Sequence, residues 1–180
     1  EDICTDAHPG DLDSASSAAQ HALQEAGCEV LRFPTHKDET DTELALAEAA
    51  ARGAAQITLL GAIGGRIDHT LANILLLAMP RLAGVPAYIY DGQSWLSLVR
   101  GHALVRGAVG DLVSLIPIAG DAAGVHTTGL EYALRGETLR FGPARGISNV
   151  LTSPEASVVV QAGLLILVHT PRVSLEEGAE

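Results

Sequence analysis

The sequence predicts an α/β nucleotide-binding domain with a parallel sheet, followed by an all-β sandwich domain. In the first half, helical patterns over residues 15–26, 40–53 and 68–79 alternate with the strand-like runs CEVLRFP, QITLLG and PAYIYD. Strand–helix–strand units at this spacing are typical of a parallel sheet covered by helices. After Asp91 the helical pattern stops, and short β-rich runs alternate with Gly, Pro and Asn turns, as in a small sandwich or barrel. We therefore predict domains over residues 1–91 and 92–180.

Local signals predict where the helices begin and end. Asp13 or Ser14 can cap the first helix, and Thr40 with Glu43 has the spacing of a capping box for the second. Gly53 is the predicted end of that second helix. In the second half the predicted strands are SWLSLV, LVSLIPI, ETLRFG, SVVVQ and LLILVH.

Composition limits the classes of function. The chain has 180 residues, 47% of them hydrophobic and 18% charged, which is typical of a globular protein. A formal net charge of −11 argues against a nucleic-acid or anionic-membrane partner, since either would need a basic surface. The apolar runs are too short to span a bilayer, no signal peptide is visible, and the two cysteines lack zinc-site spacing. We expect a cytoplasmic location.

Acidic residues precede each predicted helix, in three clusters: Asp11 and Asp13; Asp38, Glu39 and Asp41; and Asp68. One acid at a helix start is more simply a cap that favours the positive end of the helix dipole. Capping does not account for Asp11 or Asp38, nor for three clusters on loops that a parallel sheet would bring to one edge. The clusters together therefore predict a ligand site at that edge.

The segment GAIGGR, which contains Gly64, Gly65 and Arg66, indicates what the ligand is. Successive backbone N–H groups at a helix start can hold phosphate, and an arginine supplies a fork for its oxygens. Carboxylates facing a polyphosphate would repel it by about 4 kcal/mol per close pair, unless a divalent cation lies between them. We therefore predict an Mg²⁺–nucleotide site, with Lys37, the only lysine of the chain, balancing phosphate charge.

The chain resembles the thiamin pyrophosphokinase family through six segments that occur in the same order. They are GDLDS, KDETDTELAL, GAIGGRIDHTLANILLL, GDLVSLIPI, TTGLEYAL and GISN. The resemblance implies an α/β domain joined to a β-sandwich, a homodimer, and transfer of the pyrophosphoryl group of ATP to the hydroxyl of thiamin. The products of that reaction are thiamin diphosphate and AMP.

The resemblance also implies roles for individual residues of the first domain. The acids that bind Mg²⁺ correspond to Asp11, Asp13 and Asp41. The ATP contacts correspond to Lys37, Thr40, Gly64, Gly65 and Arg66. Asp68 corresponds to an acid close to the reacting groups, so that the predicted catalytic set is Asp13, Asp41, Arg66 and Asp68.

In the second domain the resemblance implies that thiamin is bound by Thr128, Tyr132, Ser148 and Asn149. Tyr132 stands where some members have a tryptophan against thiamin, and an aromatic face suits a cationic thiazolium or a flat pyrimidine. Without the resemblance, Tyr132 would be interpreted as a packing residue of a strand.

The chain departs from the family at its start, where an apolar strand and an Asp-Gly-Gly segment are usual and Glu1–Pro9 has neither. We expect residues before Gly10 to be irregular, and a chain that begins at Glu1 to be less active than one with the segment restored. Two other functions stay open: a pyrophosphokinase for another hydroxymethyl heterocycle such as a pterin, and a binding module for thiamin or its diphosphate without turnover.

Overall fold

The computed structural model describes Glu25 and residues 38–172. Two α-helices, a 3-10 turn and nine strands lie in this part of the chain: α1 Asp41–Ala51, β1 Ile57–Leu60, α2 Ile67–Leu76, the turn Pro80–Leu82, β2 Ala87–Tyr90, β3 Trp95–Val99, β4 His102–Arg106, β5 Leu112–Thr128, β6 Arg135–Leu139, β7 Asn149–Val150, β8 Glu155–Val159 and β9 Ala162–Thr170. Glu25 is helical, as predicted. The strand CEVLRFP and the segment before Gly10 lie outside the described residues. Nowhere in the described part is there a helix long and apolar enough to cross a membrane.

Helix α1 begins and ends where its local signals predicted. The Thr40 side chain accepts a hydrogen bond from the backbone N–H of Glu43, at 3.2 Å, which satisfies one of the free donors of the first turn. Arg52 is the C-cap, and Gly53 follows it with φ +78°, a conformation that glycine adopts without a Cβ penalty. This confirms the helix predicted over residues 40–53.

The chain divides into two compact units. Among the described residues, the first comprises Glu25, residues 38–57 and Met79–Pro86, and in it α1 packs against the turn Pro80–Leu82. The buried side chains of Leu46 and Leu82 belong to this unit. The second comprises Thr58–Ala78 and residues 87–172, and it contains α2 and the β-sheet.

In the second unit, α2 lies between β1 and β2 in the chain, and these two strands are neighbours in the sheet. The runs QITLLG and PAYIYD thus form the predicted strands. A shared core, formed by Ala62, Leu77, Ile89, Leu96, Ile118 and Ile166, includes residues that follow β1 and α2 and residues of β2, β3, β5 and β9. A parallel sheet remains a prediction, since the CEVLRFP strand is not described.

Strand β5 connects the strands β1, β2, β3 and β9 on one side of the sheet with β8 and β4 on the other. The strand order among the described residues is β1-β2-β3-β9-β5-β8-β4, with β6 and β7 also paired to β5. The register between β5 and β9 shifts between Ile118 and Ala123, where Ala119 and Gly120 have φ +59° and +119°. Such irregularities let one strand belong to two sheets. The second half is therefore β-rich, as predicted, but its strands form one continuous curled sheet.

The middle of β9 is buried on both faces, whereas the first part of β5 is buried along one face and, on the other, at Ile118. Val113, Leu115, Leu165 and Leu167 point into a large core shared with β4, β6 and β8. The alternating neighbours Ile118 and Ile166, with Leu164 and Val168 packed beside them, contribute to the core that α2 covers. Period-2 alternation of this kind places successive side chains on opposite faces. These strands are consequently apolar almost throughout, which is why LVSLIPI and LLILVH were recognisable as strands.

The predicted domain boundary falls in a hairpin turn. The Asp91 side chain accepts hydrogen bonds from the backbone N–H groups of Gln93 and Ser94, at 2.9 and 2.6 Å. These bonds lower the pKa of Asp91. The hairpin pairs Tyr90 with Trp95, whose rings stack with centroids 4.5 Å apart. The sheet continues through this turn, and the division at residues 91 and 92 stays a prediction.

A buried carboxylate fastens the end of β9 to the loop before β5. Asp111 is only 3% exposed and accepts hydrogen bonds from His169 Nε2 and from the backbone N–H groups of Ala108 and Arg172, each at 2.9 Å. Burial opposes ionisation, but the N–H of Arg172, the His169 ring and the N–H of Ala108 outweigh it and lower the pKa of Asp111. An added Cβ at Gly107 would lie 2.7 Å from His169 Nε2, so this position admits only glycine without rearrangement.

We expect Asp111→Asn to lower the free energy of unfolding at pH 7 by about 1–3 kcal/mol, because buried donors lose their ionised acceptor. A carboxyl with a depressed folded-state pKa stabilises above its unfolded pKa, about 3.9, and the contribution is lost as pH falls through the lower folded value. The difference between the two proteins should therefore shrink below about pH 4. Urea unfolding across this range measures it. Asp121→Asn, which alters an exposed carboxylate with one backbone donor, Phe141, is the control. Equal stabilities of wild type and Asp111→Asn at pH 7 would contradict the assignment.

Candidate functional site

The start of α1 presents part of the predicted metal and ATP set. Thr40 is the N-cap, Asp41 is the first helical residue, and Asp38 and Glu39 precede them on the surface. The positive end of the helix dipole favours ionised carboxylates here. Lys37, Asp11 and Asp13 lie outside the described residues. Among described residues, no three His, Cys, Asp or Glu side chains are grouped to hold a metal. That finding does not bear on a set in which two of the three acids are undescribed.

The glycine loop before α2 is held from within by two side chains of that helix. Thr70 Oγ1 accepts from the backbone N–H of Gly64 and donates to its carbonyl, both at 3.1 Å. Asn73 Nδ2 donates to the carbonyl of Ala62 at 2.8 Å. Gly64 and Gly65 are exposed, and neither would bring an added Cβ within 4 Å of another group. The N–H of Gly64 is already used inside the loop, so a bound phosphate would rely more on the N–H of Gly65.

Arg66 and Asp68 form a two-pronged ion pair at the start of α2. Arg66 Nε and one terminal nitrogen donate to the two carboxylate oxygens of Asp68, at 3.2 and 2.5 Å. The hydrogen bond from Arg66 is the main reason that the pKa of Asp68 falls to about 2, and Asp68 in turn raises the pKa of Arg66. Asp68 is thus ionised at neutral pH. Its observed contact orients the guanidinium.

Tyr132 lies in the loop between β5 and β6 and not in a strand, so its interpretation as a strand packing residue is wrong. Its side chain is 67% exposed. The loop is anchored on both sides of it: the N–H of Glu131 donates to the Val150 carbonyl at 3.0 Å, and the N–H of Leu134 donates to Thr127 Oγ1 at 2.8 Å. Tyr132 is therefore an exposed aromatic ring on a fixed backbone.

The segment GISN passes beside this loop. Gly146 accepts from the N–H of Leu115 at 2.8 Å, and an added Cβ there would run into the Leu115 carbonyl. Ser148 has φ +58°, unusual for a residue with a side chain, and its N–H donates to Ser114 Oγ at 3.0 Å. Asn149 exchanges hydrogen bonds with the backbone of Tyr132, at 3.0 and 2.9 Å. The structure thus brings Tyr132, Ser148 and Asn149 together.

Thr128, the fourth residue predicted to bind thiamin, is exposed near the start of the Tyr132 loop. Its hydroxyl pairs with that of Ser157 on β8 at 2.7 Å. Gly129 follows it with φ +73°, and this turn begins the loop that carries Tyr132.

Comparison with known families gives the two halves separate matches. Residues 1–89 match the thiamin pyrophosphokinase catalytic domain, and residues 102–165 match the vitamin B1 binding domain of the same enzymes. The crystal structure of a thiamin pyrophosphokinase from Geobacillus thermodenitrificans is 31% identical, with a TM-score of 0.75 over 92% of this chain and 77% of that one. The chain belongs to the thiamin pyrophosphokinase family.

Other members of the thiamin pyrophosphokinase family support the same assignment. Thiamine pyrophosphokinase from Bacillus subtilis is 26% identical over 163 residues, which are 89% of this chain and 76% of that protein. Its crystal structure has a TM-score of 0.80 over 91% of this chain and 78% of that one. A family protein from Enterococcus faecalis is 28% identical, with a TM-score of 0.78 and coverage of 91% and 78%.

Sequence reasoning missed three side chains that hold the backbone of the candidate site segments. Thr70 and Asn73 hold the glycine loop, and their spacing of three residues within GRIDHTLAN, on one helix face, was an available signal. Ser114 holds the N–H of Ser148 across a separation of 34 residues, and no local pattern indicates that contact.

Proposed function

We propose that this chain is a thiamin pyrophosphokinase, which transfers the pyrophosphoryl group of Mg-ATP to the hydroxyl of thiamin and releases AMP. The observation that carries the proposal is that one chain contains both a match to the catalytic domain and a match to the B1-binding domain. In this reaction the hydroxyl oxygen of thiamin forms a bond to the β-phosphorus, the bond from that phosphorus to the α,β-bridging oxygen breaks, and the hydroxyl proton passes to solvent.

ATP is proposed to contact the glycine loop before α2. Gly65 offers an exposed backbone at a helix start, and Arg66 offers a guanidinium fork suited to phosphate oxygens. Lys37, Thr40 and Gly64 complete the proposed ATP contacts. Asp68, ionised beside Arg66, keeps the guanidinium oriented as negative charge develops on the transferred group.

Mg²⁺ is proposed to be held by Asp11, Asp13 and Asp41. A set of carboxylate oxygens suits this ion, and Asp41, the one member that the structure describes, is half-buried in the first turn of α1. When bound, the ion would neutralise phosphate charge. The chain supplies the carboxylates that would hold the ion. Without the ion, their negative charge would repel the phosphates of the nucleotide.

Thiamin is proposed to bind beside Tyr132 and the Ser148–Asn149 turn. Thr128, four residues before Tyr132, is the fourth proposed contact. The exposed ring of Tyr132 supports this assignment, because an aromatic face attracts a cationic or flat heterocycle. The β region is also the proposed homodimer surface. This proposal is supported by three apolar side chains of the β region that are each 41–48% exposed, Leu112, Ile116 and Ile147. Exposed apolar side chains that lie together suit a protein–protein interface.

The test is a product assay on the full chain with thiamin and Mg-ATP, in which thiamin diphosphate and AMP should appear in equal amounts. The controls omit Mg²⁺, omit thiamin, or replace thiamin with a hydroxymethylpterin. Turnover with the pterin alone would overturn the substrate assignment. Binding of thiamin without any AMP would overturn the proposed activity in favour of a binding module.

A further inference from the structure

We propose that Asn149 is a positioning residue that fixes the backbone of Tyr132, and that it acts on thiamin only through the Tyr132 ring. This inference rests on the proposed function for its ligand. It depends on the hydrogen bonds of the Asn149 carboxamide, which are made to the backbone of the protein itself.

The Asn149 amide makes three hydrogen bonds to backbone. Its Oδ1 accepts from the N–H of Tyr132 at 3.0 Å and from the N–H of Val150 at 2.9 Å, and its Nδ2 donates to the carbonyl of Tyr132 at 2.9 Å. A carboxamide has one oxygen with two lone pairs and two N–H donors. Both lone pairs and one donor are therefore committed, and a single N–H is left for any ligand.

The two hydrogen bonds between Asn149 and Tyr132 take the place of one pair of backbone hydrogen bonds between antiparallel strands. In an antiparallel sheet, a residue exchanges an N–H and a C=O bond with the backbone opposite. Here the neighbouring positions do use backbone: Leu130 bridges Leu151, and Glu131 donates to Val150. At Tyr132 the partner is a side chain, 17 residues further along the chain.

The location of this clamp matters because the Tyr132 ring is mostly exposed. A side chain that is 67% exposed is held only weakly by packing, so the position of its ring depends on its backbone. The attraction between an aromatic face and a cation falls when the ring moves away from it. The structure thus assigns Asn149 to fix the position of the Tyr132 ring. The neighbouring residue Ser148, with φ +58°, has an exposed side chain.

A double-mutant cycle on thiamin binding tests the inference. We expect Asn149→Ala and Tyr132→Leu each to raise the dissociation constant of thiamin about 10-fold, the scale of a cation–π contact. Because Asn149 acts through the ring, the double variant should also be weakened about 10-fold and not about 100-fold. An additive, roughly 100-fold loss would show a contact of Asn149 with thiamin and would overturn the proposal. Unchanged binding by Asn149→Ala would overturn it as well.

Hydrogen exchange at the Tyr132 amide separates this inference from the proposed function. The measurement needs no ligand, and Asn149→Ala should exchange faster at that amide than wild type; an unchanged rate overturns the clamp even if wild type binds no thiamin. Asn149→Leu provides a second variant should the alanine protein not fold. Leucine is close to asparagine in size but accepts and donates none of the three hydrogen bonds, so faster exchange at the Tyr132 amide is again the supporting result, and an unchanged rate again overturns the clamp.

Discussion

Asp41→Asn is expected to lower the turnover of thiamin pyrophosphorylation by about 10³-fold or more while leaving the fold intact. Asp41 is a proposed Mg²⁺ ligand, and an amide oxygen in its place supplies no charge to hold the cation against the phosphates. The helix cap does not depend on this side chain, because Thr40 accepts from Glu43. Initial rates over a range of Mg²⁺ concentrations measure the effect, with Asp13→Asn expected to behave alike.

Glu43→Gln is the matched control for this prediction. It removes one negative charge from the same first turn of α1, but Glu43 is not a proposed metal ligand. We expect its rate to stay within a few-fold of wild type, as for a loss of dipole interaction worth about 0.3–1 kcal/mol. Near wild-type rates in both aspartate variants would remove the metal assignment, and an equal loss in Glu43→Gln would reduce the effect to general electrostatics.

Gly129→Ala is expected to lower the free energy of unfolding by about 2–5 kcal/mol. A residue with a Cβ at φ +73° costs about 1–2 kcal/mol, and forced contacts in a packed region cost about 1–3 kcal/mol more. The added Cβ would meet the Glu155 carbonyl, lie 2.8 Å from Ser153 Oγ and lie 2.9 Å from the Cα of Ala156. Two of these three neighbours are backbone atoms, which cannot move aside cheaply.

Gly61→Ala isolates the steric part of this loss. Gly61 has φ +67°, close to that of Gly129, and an added Cβ there meets nothing within 4 Å. Urea unfolding of both variants should give the smaller loss at Gly61, by about 1–3 kcal/mol. Equal losses would mean that the Gly129 turn yields without cost.

Features set by neighbours in the sequence could be predicted, and those set by distant pairings could not. The start of α1 at Thr40 and its end before Gly53 follow from local capping chemistry. Strand β5, in contrast, was predicted only over residues 112–118, because Ala119, Gly120 and Gly124 resemble a turn. Its continuation to Thr128 depends on pairing with β6, β8 and β9. Strand β4, His102–Arg106, was not among the predicted runs for the same reason, since its partner β8 is about fifty residues away.

The candidate site likewise has features that the sequence predicts and features that it does not. The family motifs identified Tyr132, Ser148 and Asn149 by sequence, and the structure groups them. That Asn149 bonds to the backbone of Tyr132 could not be predicted, since a motif gives residue types and no partners. The buried pair of Asp111 and His169 was also missed, because the two residues lie 58 positions apart and each has an ordinary polar neighbourhood in the sequence.

The pairing of β5 has a consequence for how the protein is made. Among the residues that the structure describes, four strands pair with β5 and all of them follow it in the chain; the last, β9, pairs Thr170 with Leu112 at the beginning of β5. During synthesis from the N-terminus, β5 therefore leaves the ribosome with its apolar residues and backbone groups unpaired. It must wait for nearly sixty further residues before β9 can cover it, for several seconds at about 5–20 residues per second. Such an uncovered edge is a template for pairing with other chains, so we expect the nascent protein to be open to aggregation in this interval.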